Sequence, residues 1–340
     1  MIPWSPAAAT SVGSFPGTDV REVVRIIRGE LPDFLHLPEL PARGPGADLV
    51  GRTLALLSGV DHVFSATTIP TGWRIDGADT SVMRRGRSWV GEDLDALEEV
   101  TQGYAGPMKT QLCGPWTLAA SVEGVGGERL VRDPGAVREI AEGLAEAARV
   151  HVADLRRRIP ESRPVLQWDE PLLPAVIAGR VRTASGLATY RSVDVPVVSR
   201  ALTTVFSAVE DATAGVHCCA REAPVGLMVD SGAQFLSIDI LDARPLDAEV
   251  ASAWEAGVGI LLGCVPALGS IGRTSDEAVS RAARRYLADL GFEDERYLRE
   301  LAITPTCGLA GADPAWVRGA LAACRTIGGV LRNDRVGEEQ

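Results

Sequence analysis

A histidine and a cysteine two residues apart, His217 and Cys219, could together bind a metal ion. They close the segment 216–219, which ends a short apolar run that is typical of a β-strand. Alternate side chains of a strand share a face, so His217 and Cys219 point together while Cys218 points away. An imidazole and a thiolate in this arrangement can hold one zinc ion at about 2.0 to 2.3 Å. Alone, the pattern is more often a packing feature.

Two further residues of ligand type follow at the ends of later apolar runs. Asp239 closes the run 236–239, and Cys307 follows the run 301–304. Simpler interpretations exist, since an aspartate can cap a helix and a cysteine can pack as a small hydrophobe. All four residues nevertheless lie at carboxyl ends of predicted strands, which is the face that carries the active site in barrels of parallel strands. The sequence therefore predicts a zinc site formed by His217, Cys219, Asp239 and Cys307.

Alternating short strands and longer amphipathic helices are predicted along the whole chain. This pattern favours an α/β fold, a single (β/α)8 TIM barrel, over residues 1–340. An arginine- and glycine-rich segment, 73–90, is predicted as an insertion, a hairpin in the second strand-to-helix loop. The eight predicted strands are 11–15, 33–37, 108–112, 165–168, 214–219, 235–239, 257–262 and 301–304. The predicted helices are 19–28, 47–57, 134–158, 197–208, 248–255, 275–290 and 314–327.

The composition, 46% hydrophobic and 23% charged, is that of a packed globular protein. A net charge of −11 argues against nucleic acid as a partner, because phosphate binding needs clustered cations. No leader and no membrane-spanning run is recognised, so we expect a cytoplasmic protein without a membrane partner. Six cysteines in 340 residues are too sparse for a disulfide scaffold. Lys109 is the only lysine, and it lies in no Schiff-base or phosphate-loop motif.

The order of these motifs resembles the catalytic barrel of cobalamin-independent methionine synthase. The resemblance rests on His-x-Cys, an acid that ends an apolar strand, and Pro305-x-Cys307-Gly308-Leu309. Four more segments agree in order: 11–16, 39–43, 114–115 and 167–171. In the family the acid is usually glutamate, whereas this chain has Asp239. The resemblance implies a zinc-dependent methyltransferase that transfers a methyl group to the thiol of homocysteine.

The resemblance also implies how homocysteine is held. Gly13 and Ser14 would bind its carboxylate, while Glu39 and Asp169 would bind its ammonium group. This agrees with the needs of a zwitterion, which requires donors at one end and acceptors at the other. Two thiolates and a carboxylate on the zinc would keep a bound thiol deprotonated yet nucleophilic.

The methyl donor predicted from the sequence is methylcobalamin or a methylated corrinoid protein rather than methyl-tetrahydrofolate. In the family a catalytic histidine follows the seventh strand, and alignment on 257–259 and Pro266 puts Cys264 in its place. A folate donor needs a proton, whereas a corrinoid does not. The extra N-terminal barrel of folate-using enzymes is also not recognised. Asp169 and Cys264 are thus the predicted catalytic residues.

Three alternatives stay open at this stage. The acceptor could be another thiol, as in coenzyme M methyltransferases, although a sulfonate would require cations rather than Glu39 and Asp169. A metal-free decarboxylase resembling uroporphyrinogen decarboxylase would use the same barrel but favours basic residues for its substrate. A zinc-stabilised barrel without activity would have four protein ligands and no access for a thiol.

Overall fold

Eight parallel strands form one curled sheet in the computed structural model, which describes residues 2–241, 246–269, 276–291 and 295–333. The strands are β1 Ala8–Ala9, β2 Leu35–His36, β5 Pro107–Cys113, β7 Arg163–Asp169, β8 Thr213–Cys218, β9 Phe235–Asp239, β10 Gly259–Val265 and β11 Leu301–Pro305. Their order across the sheet is β1-β11-β10-β9-β8-β7-β5-β2, and each neighbouring pair is parallel. This architecture confirms the predicted TIM-barrel type of α/β fold.

The barrel is closed at its carboxyl rim by a parallel bridge between Ser14 and Glu39. The N–H of Phe15 donates to the carbonyl of Glu39 at 2.8 Å, and the N–H of Glu39 donates to the carbonyl of Gly13 at 3.1 Å. The two strands that meet here, β1 and β2, are only two residues long. Closure therefore depends on the segments that follow them.

Helices cover the outside of the sheet. They are α1 Val20–Glu30, α2 Leu49–Val60, α3 Ser81–Val100, α4 Pro115–Ser121, α5 Pro134–Arg158, α6 Leu173–Ile177, α7 Val195–Phe206, α8 Val225–Asp230, α9 Asp247–Glu255, α10 Asp276–Asp289 and α11 Pro314–Asn333. Several first turns carry side-chain caps; for example, Asp19 accepts from the N–H groups of Arg21 and Glu22 at the start of α1. The predicted helix 134–158 is confirmed to the residue as α5.

The segment 73–90 differs from its predicted form. A hairpin is present, but it lies earlier, with β3 Ala66–Ile69 antiparallel to β4 Gly72–Ile75, and β4 also pairs with β6 Val122–Glu123. Residues 81–90 are instead the first half of α3, which Thr80 caps. The first barrel strand likewise lies at Ala8–Ala9, a few residues before the predicted 11–15.

The interior of the barrel is apolar at one end and polar at the other. The apolar end is a cluster of buried residues that includes Trp4, Phe34 and Phe235. Above it lie buried polar side chains, among them His36 and Lys109 on the paired strands β2 and β5. The polar end faces the carboxyl rim, where the candidate site lies. None of the described helices is long and apolar enough to cross a membrane.

Candidate metal and substrate site

Three of the four predicted metal ligands converge at the carboxyl rim. One ligand atom from each of His217, Cys219 and Cys307 lies within 4.8 Å of the other two. His217 lies on β8 and Cys219 directly follows that strand, while Cys307 lies two residues beyond β11. The two sulfur atoms are 3.6 Å apart. Strand ends that are distant in sequence thus place three soft donors around one point.

The donor set fits a zinc ion. His217 Nδ1 lies 3.0 Å from Ser237 Oγ, while Nε2 is buried and has no hydrogen-bond partner among the described residues. A buried ring nitrogen left unpaired is costly unless a ligand occupies it. Two thiolates on one tetrahedral zinc lie about 3.8 Å apart, given Zn–S bonds of about 2.3 Å. The observed spacing matches that geometry, and Ser237 holds the imidazole in orientation, as a partner of a metal-bound histidine does.

The two neighbouring thiols change each other's acidity. The Cys219 thiol and the His217 ring beside it lower the pKa of Cys307, while the contact with Cys307 raises the pKa of Cys219. A divalent cation would displace the thiol protons and bind both sulfur atoms as thiolates.

Asp239, the predicted fourth ligand, is not part of this cluster. It ends β9 on the face that Ser237 also occupies, because the two residues are separated by one position. Its Oδ1 accepts the N–H of Leu241 at 2.8 Å. The structure thus places Asp239 at the correct rim, and its role as a ligand remains a prediction.

The predicted carboxylate-binding segment lies against the loop that carries Cys307. The N–H of Leu309 donates to the carbonyl of Ser14 at 2.7 Å. A Cβ atom added to Gly308 would lie 2.1 Å from Ser14 Oγ, so a larger residue here would force the Ser14 side chain to move. Residues 13–14 and the cluster of His217, Cys219 and Cys307 are therefore neighbours, as a shared site requires.

The two predicted ammonium-binding acids, Glu39 and Asp169, are both buried at the rim. Burial raises the pKa of Glu39 to about 7, against the opposing charge of nearby Arg52. Glu39 Oε1 has no hydrogen-bond partner in the described parts of the chain. Burial also raises the pKa of Asp169 to about 6, opposed by His217 and Lys109. These carboxylates would gain from a cationic ligand, because desolvation disfavours their ionised forms.

Glu170, next to Asp169, has a structural role that the sequence did not reveal. Its Oε1 accepts the N–H of Trp116 at 2.9 Å, and its Oε2 accepts the N–H of Thr117 at 2.8 Å and the hydroxyl of Thr117 at 2.7 Å. Both carboxylate oxygens therefore cap the first turn of α4.

The structure does not bring Cys264, the second predicted catalytic residue, to this site. The side chain is buried, and burial raises its pKa to about 12. It lies close enough to Cys324, on α11, for its charge to raise the pKa of that thiol. Cys264 therefore packs between β10 and the outer helix. The pairing register of β10 with β11 also shifts between Gly263 and Val265, on either side of this residue. A catalytic role of Cys264 remains a prediction.

The fold and the site together define a class of TIM barrel that carries a cluster of metal-ligand residues beside two buried acids. Comparison with known proteins is more specific. Residues 83–329 match the family of the cobalamin-independent synthase catalytic domain, and the chain belongs to this family. It is therefore a methyltransferase of the methionine synthase type, as predicted.

A solved structure supports the fold. A B12-independent methionine synthase from Shewanella sp. W3-18-1, in complex with selenomethionine, is 13% identical with a TM-score of 0.64, and the match covers 98% of this chain and 100% of that chain. At this identity the likeness concerns the fold alone. No curated protein sequence matches the chain significantly.

Proposed function

We propose that this protein is a zinc-dependent methyltransferase that converts homocysteine to methionine. The observation that carries the proposal is the contact between Ser14 and Gly308, which joins the predicted carboxylate-binding segment to the Cys307 loop. An amino acid held by this segment would have its side chain directed at His217, Cys219 and Cys307. When bound there, zinc would keep the substrate thiol deprotonated and nucleophilic.

The pocket suits the two ends of an amino acid. The bridge to Glu39 uses the carbonyl of Gly13 and the N–H of Phe15, and it leaves the N–H and hydroxyl of Ser14 to donate to a carboxylate. Glu39 and Asp169 would accept the N–H groups of the ammonium. Asp169 acts in catalysis through this contact, because fixing the amino group also fixes the direction of the thiol. The same acids would repel a sulfonate, which argues against coenzyme M as the acceptor.

Zinc would be bound by His217, Cys219 and Cys307, with Asp239 proposed as the fourth protein ligand. Three converging donors leave one position of a tetrahedral ion, which Asp239 would fill until the substrate thiol takes its place. A purely structural zinc would instead keep all four protein ligands when homocysteine is present.

The methyl donor proposed here is methyl-tetrahydrofolate, and the proton that the homocysteine thiol loses on binding zinc would balance, through water, the proton that the folate leaving group takes up. The family consists of cobalamin-independent synthases and the Shewanella enzyme is B12-independent, and both properties argue against the corrinoid donor expected from the sequence.

The test is an assay of methionine formation from homocysteine with purified, zinc-loaded protein. Initial rates are compared with methyl-tetrahydrofolate and methylcobalamin at matched concentrations, and coenzyme M serves as an alternative acceptor. We expect methionine with the folate donor at the higher rate. A higher rate with methylcobalamin would overturn the donor only, whereas methylation of coenzyme M without methionine formation would overturn the acceptor.

A further inference from the structure

The only lysine of the chain, Lys109, lies inside the barrel. Lys109 belongs to β5 and is fully buried (0% exposed), and this burial lowers its pKa to about 8. Burying an ammonium is costly unless hydrogen bonds and opposite charges compensate it. The partners of Lys109 therefore indicate what the buried charge does.

One partner is the carbonyl oxygen of Val12. Lys109 Nζ donates to it at 2.6 Å, and Gln167 Nε2 donates to the same oxygen at 3.0 Å. Val12 immediately precedes Gly13 and Ser14, the segment proposed to bind the substrate carboxylate. Two donors from the barrel interior thus fix the start of this segment.

The other partners are acidic. Glu39 and Asp169 both act electrostatically on Lys109, and Gln167 Nε2 also donates to Asp169 Oδ1 at 2.7 Å. Two buried carboxylates close to each other repel when both are ionised. When all three groups are ionised, Lys109, Glu39 and Asp169 together have a net charge of −1, which one substrate ammonium would neutralise.

We propose that Lys109 is a positioning residue for the amino-acid substrate, fixing Val12 and hence Gly13 and Ser14 while balancing the paired charges of Glu39 and Asp169. This inference rests on the proposed function. Lys109 acts through these groups rather than by contact with the reacting sulfur. Its removal should therefore affect substrate affinity more than the chemical step.

The experiment compares Lys109→Met, which keeps the length of the side chain but removes its charge, with Lys109→Arg, which keeps a cation. Thr110→Val is the matched control, because Thr110 is buried on the same strand and contacts His151 at 2.8 Å on the opposite face. Gln167→Met, which removes the second donor to Val12 together with the hydrogen bond to Asp169, provides a further variant if Lys109→Met does not fold. Zinc content, L-methionine binding by calorimetry, and the KM and kcat for homocysteine are measured for each.

We expect Lys109→Met to retain zinc and to bind L-methionine roughly 30-fold more weakly or worse, which is the lower range for breaking a buried charge pair. The KM for homocysteine should rise in parallel, with kcat changed by less than about threefold. Lys109→Arg should restore part of the affinity, Gln167→Met should show a smaller loss in the same direction, and Thr110→Val should match the wild type.

Unchanged L-methionine affinity in folded, zinc-loaded Lys109→Met would overturn the inference, and so would a fall in kcat and zinc content that parallels the loss of affinity. If Lys109→Met does not fold, unchanged affinity in Gln167→Met has the same meaning. A wild-type protein that binds neither L-methionine nor homocysteine would instead overturn the proposed function.

Discussion

The sulfur atoms of Cys219 and Cys307 lie 3.6 Å apart although 88 positions separate the two residues in the chain. This distance is much longer than a disulfide bond of about 2.05 Å. It is close to the separation of two thiolates on one tetrahedral zinc ion. The barrel topology, which aligns the ends of β8 and β11 on one rim, produces this pair.

Replacement of either cysteine should remove the metal. Cys219→Ser and Cys307→Ser should each lose most of the zinc, about one ion per chain in the wild type, because a hydroxyl does not replace a thiolate ligand. Metal analysis of the purified proteins measures this. Cys218→Ser is the matched control, since Cys218 is buried on the opposite face of the strand. Full zinc retention in both ligand variants would remove the metal assignment.

Asp169→Asn should keep zinc and lose homocysteine turnover. The neutral amide cannot form an ion pair with the substrate ammonium. We therefore expect kcat/KM to fall by an amount equivalent to about 2 to 4 kcal/mol of transition-state stabilisation, as for a broken buried charge pair. Steady-state kinetics with parallel zinc analysis checks this. Kinetics equal to those of the wild type would remove Asp169 from the site.

The affinity for L-methionine should rise with pH around neutrality. Glu39 has a pKa of about 7, so it is mostly neutral below this pH and ionised above it, and only the ionised form attracts the ammonium strongly. Between pH 6 and pH 8 the ionised fraction rises roughly tenfold, and the affinity should follow. Calorimetry across this range measures the effect, and Glu39→Gln should reduce it to the roughly twofold change that Asp169, with a pKa of about 6, would leave. An identical pH dependence in Glu39→Gln would assign the titration to another group.

Cys264→Ala should leave turnover within about twofold of the wild type. Its side chain packs outside the barrel interior, so the expected cost is a modest loss of stability from the small cavity. Initial rates and urea unfolding separate the two effects. A large fall in kcat with unchanged zinc content would return Cys264 to the catalytic site.

Much of the fold was predictable because the strand and helix periodicities are strong. Seven of the predicted strands overlap observed barrel strands, and the predicted bounds of α5 Pro134–Arg158 agree with the observed ones. Helix α3 was not predicted, because its arginines and glycines interrupt the apolar pattern formed by its buried residues, which include Met83, Val90 and Leu94. Local composition does not show which residues the barrel buries.

The site was predictable where ligand type and strand ends coincide, as for His217, Cys219 and Cys307. It was not predictable where the partner is remote in sequence. Glu170 caps a helix 53 positions away, and Lys109 contacts a carbonyl 97 positions away. The available signal was the lysine itself, because a charged residue within the buried strand β5 needs a partner of opposite charge or a hydrogen-bond acceptor.

Because the bridge between Ser14 and Glu39 closes the barrel, the proposed substrate pocket lies at the junction between β1 and β2. The strands behind it are the shortest of the sheet, so this junction has few lateral hydrogen bonds of its own. An amino acid that binds Ser14 with its carboxylate and Glu39 with its ammonium would link the first and second strands at the carboxyl rim. Ligand binding and integrity of the cylinder would then be thermodynamically linked, and saturating methionine should slow amide hydrogen exchange along this junction.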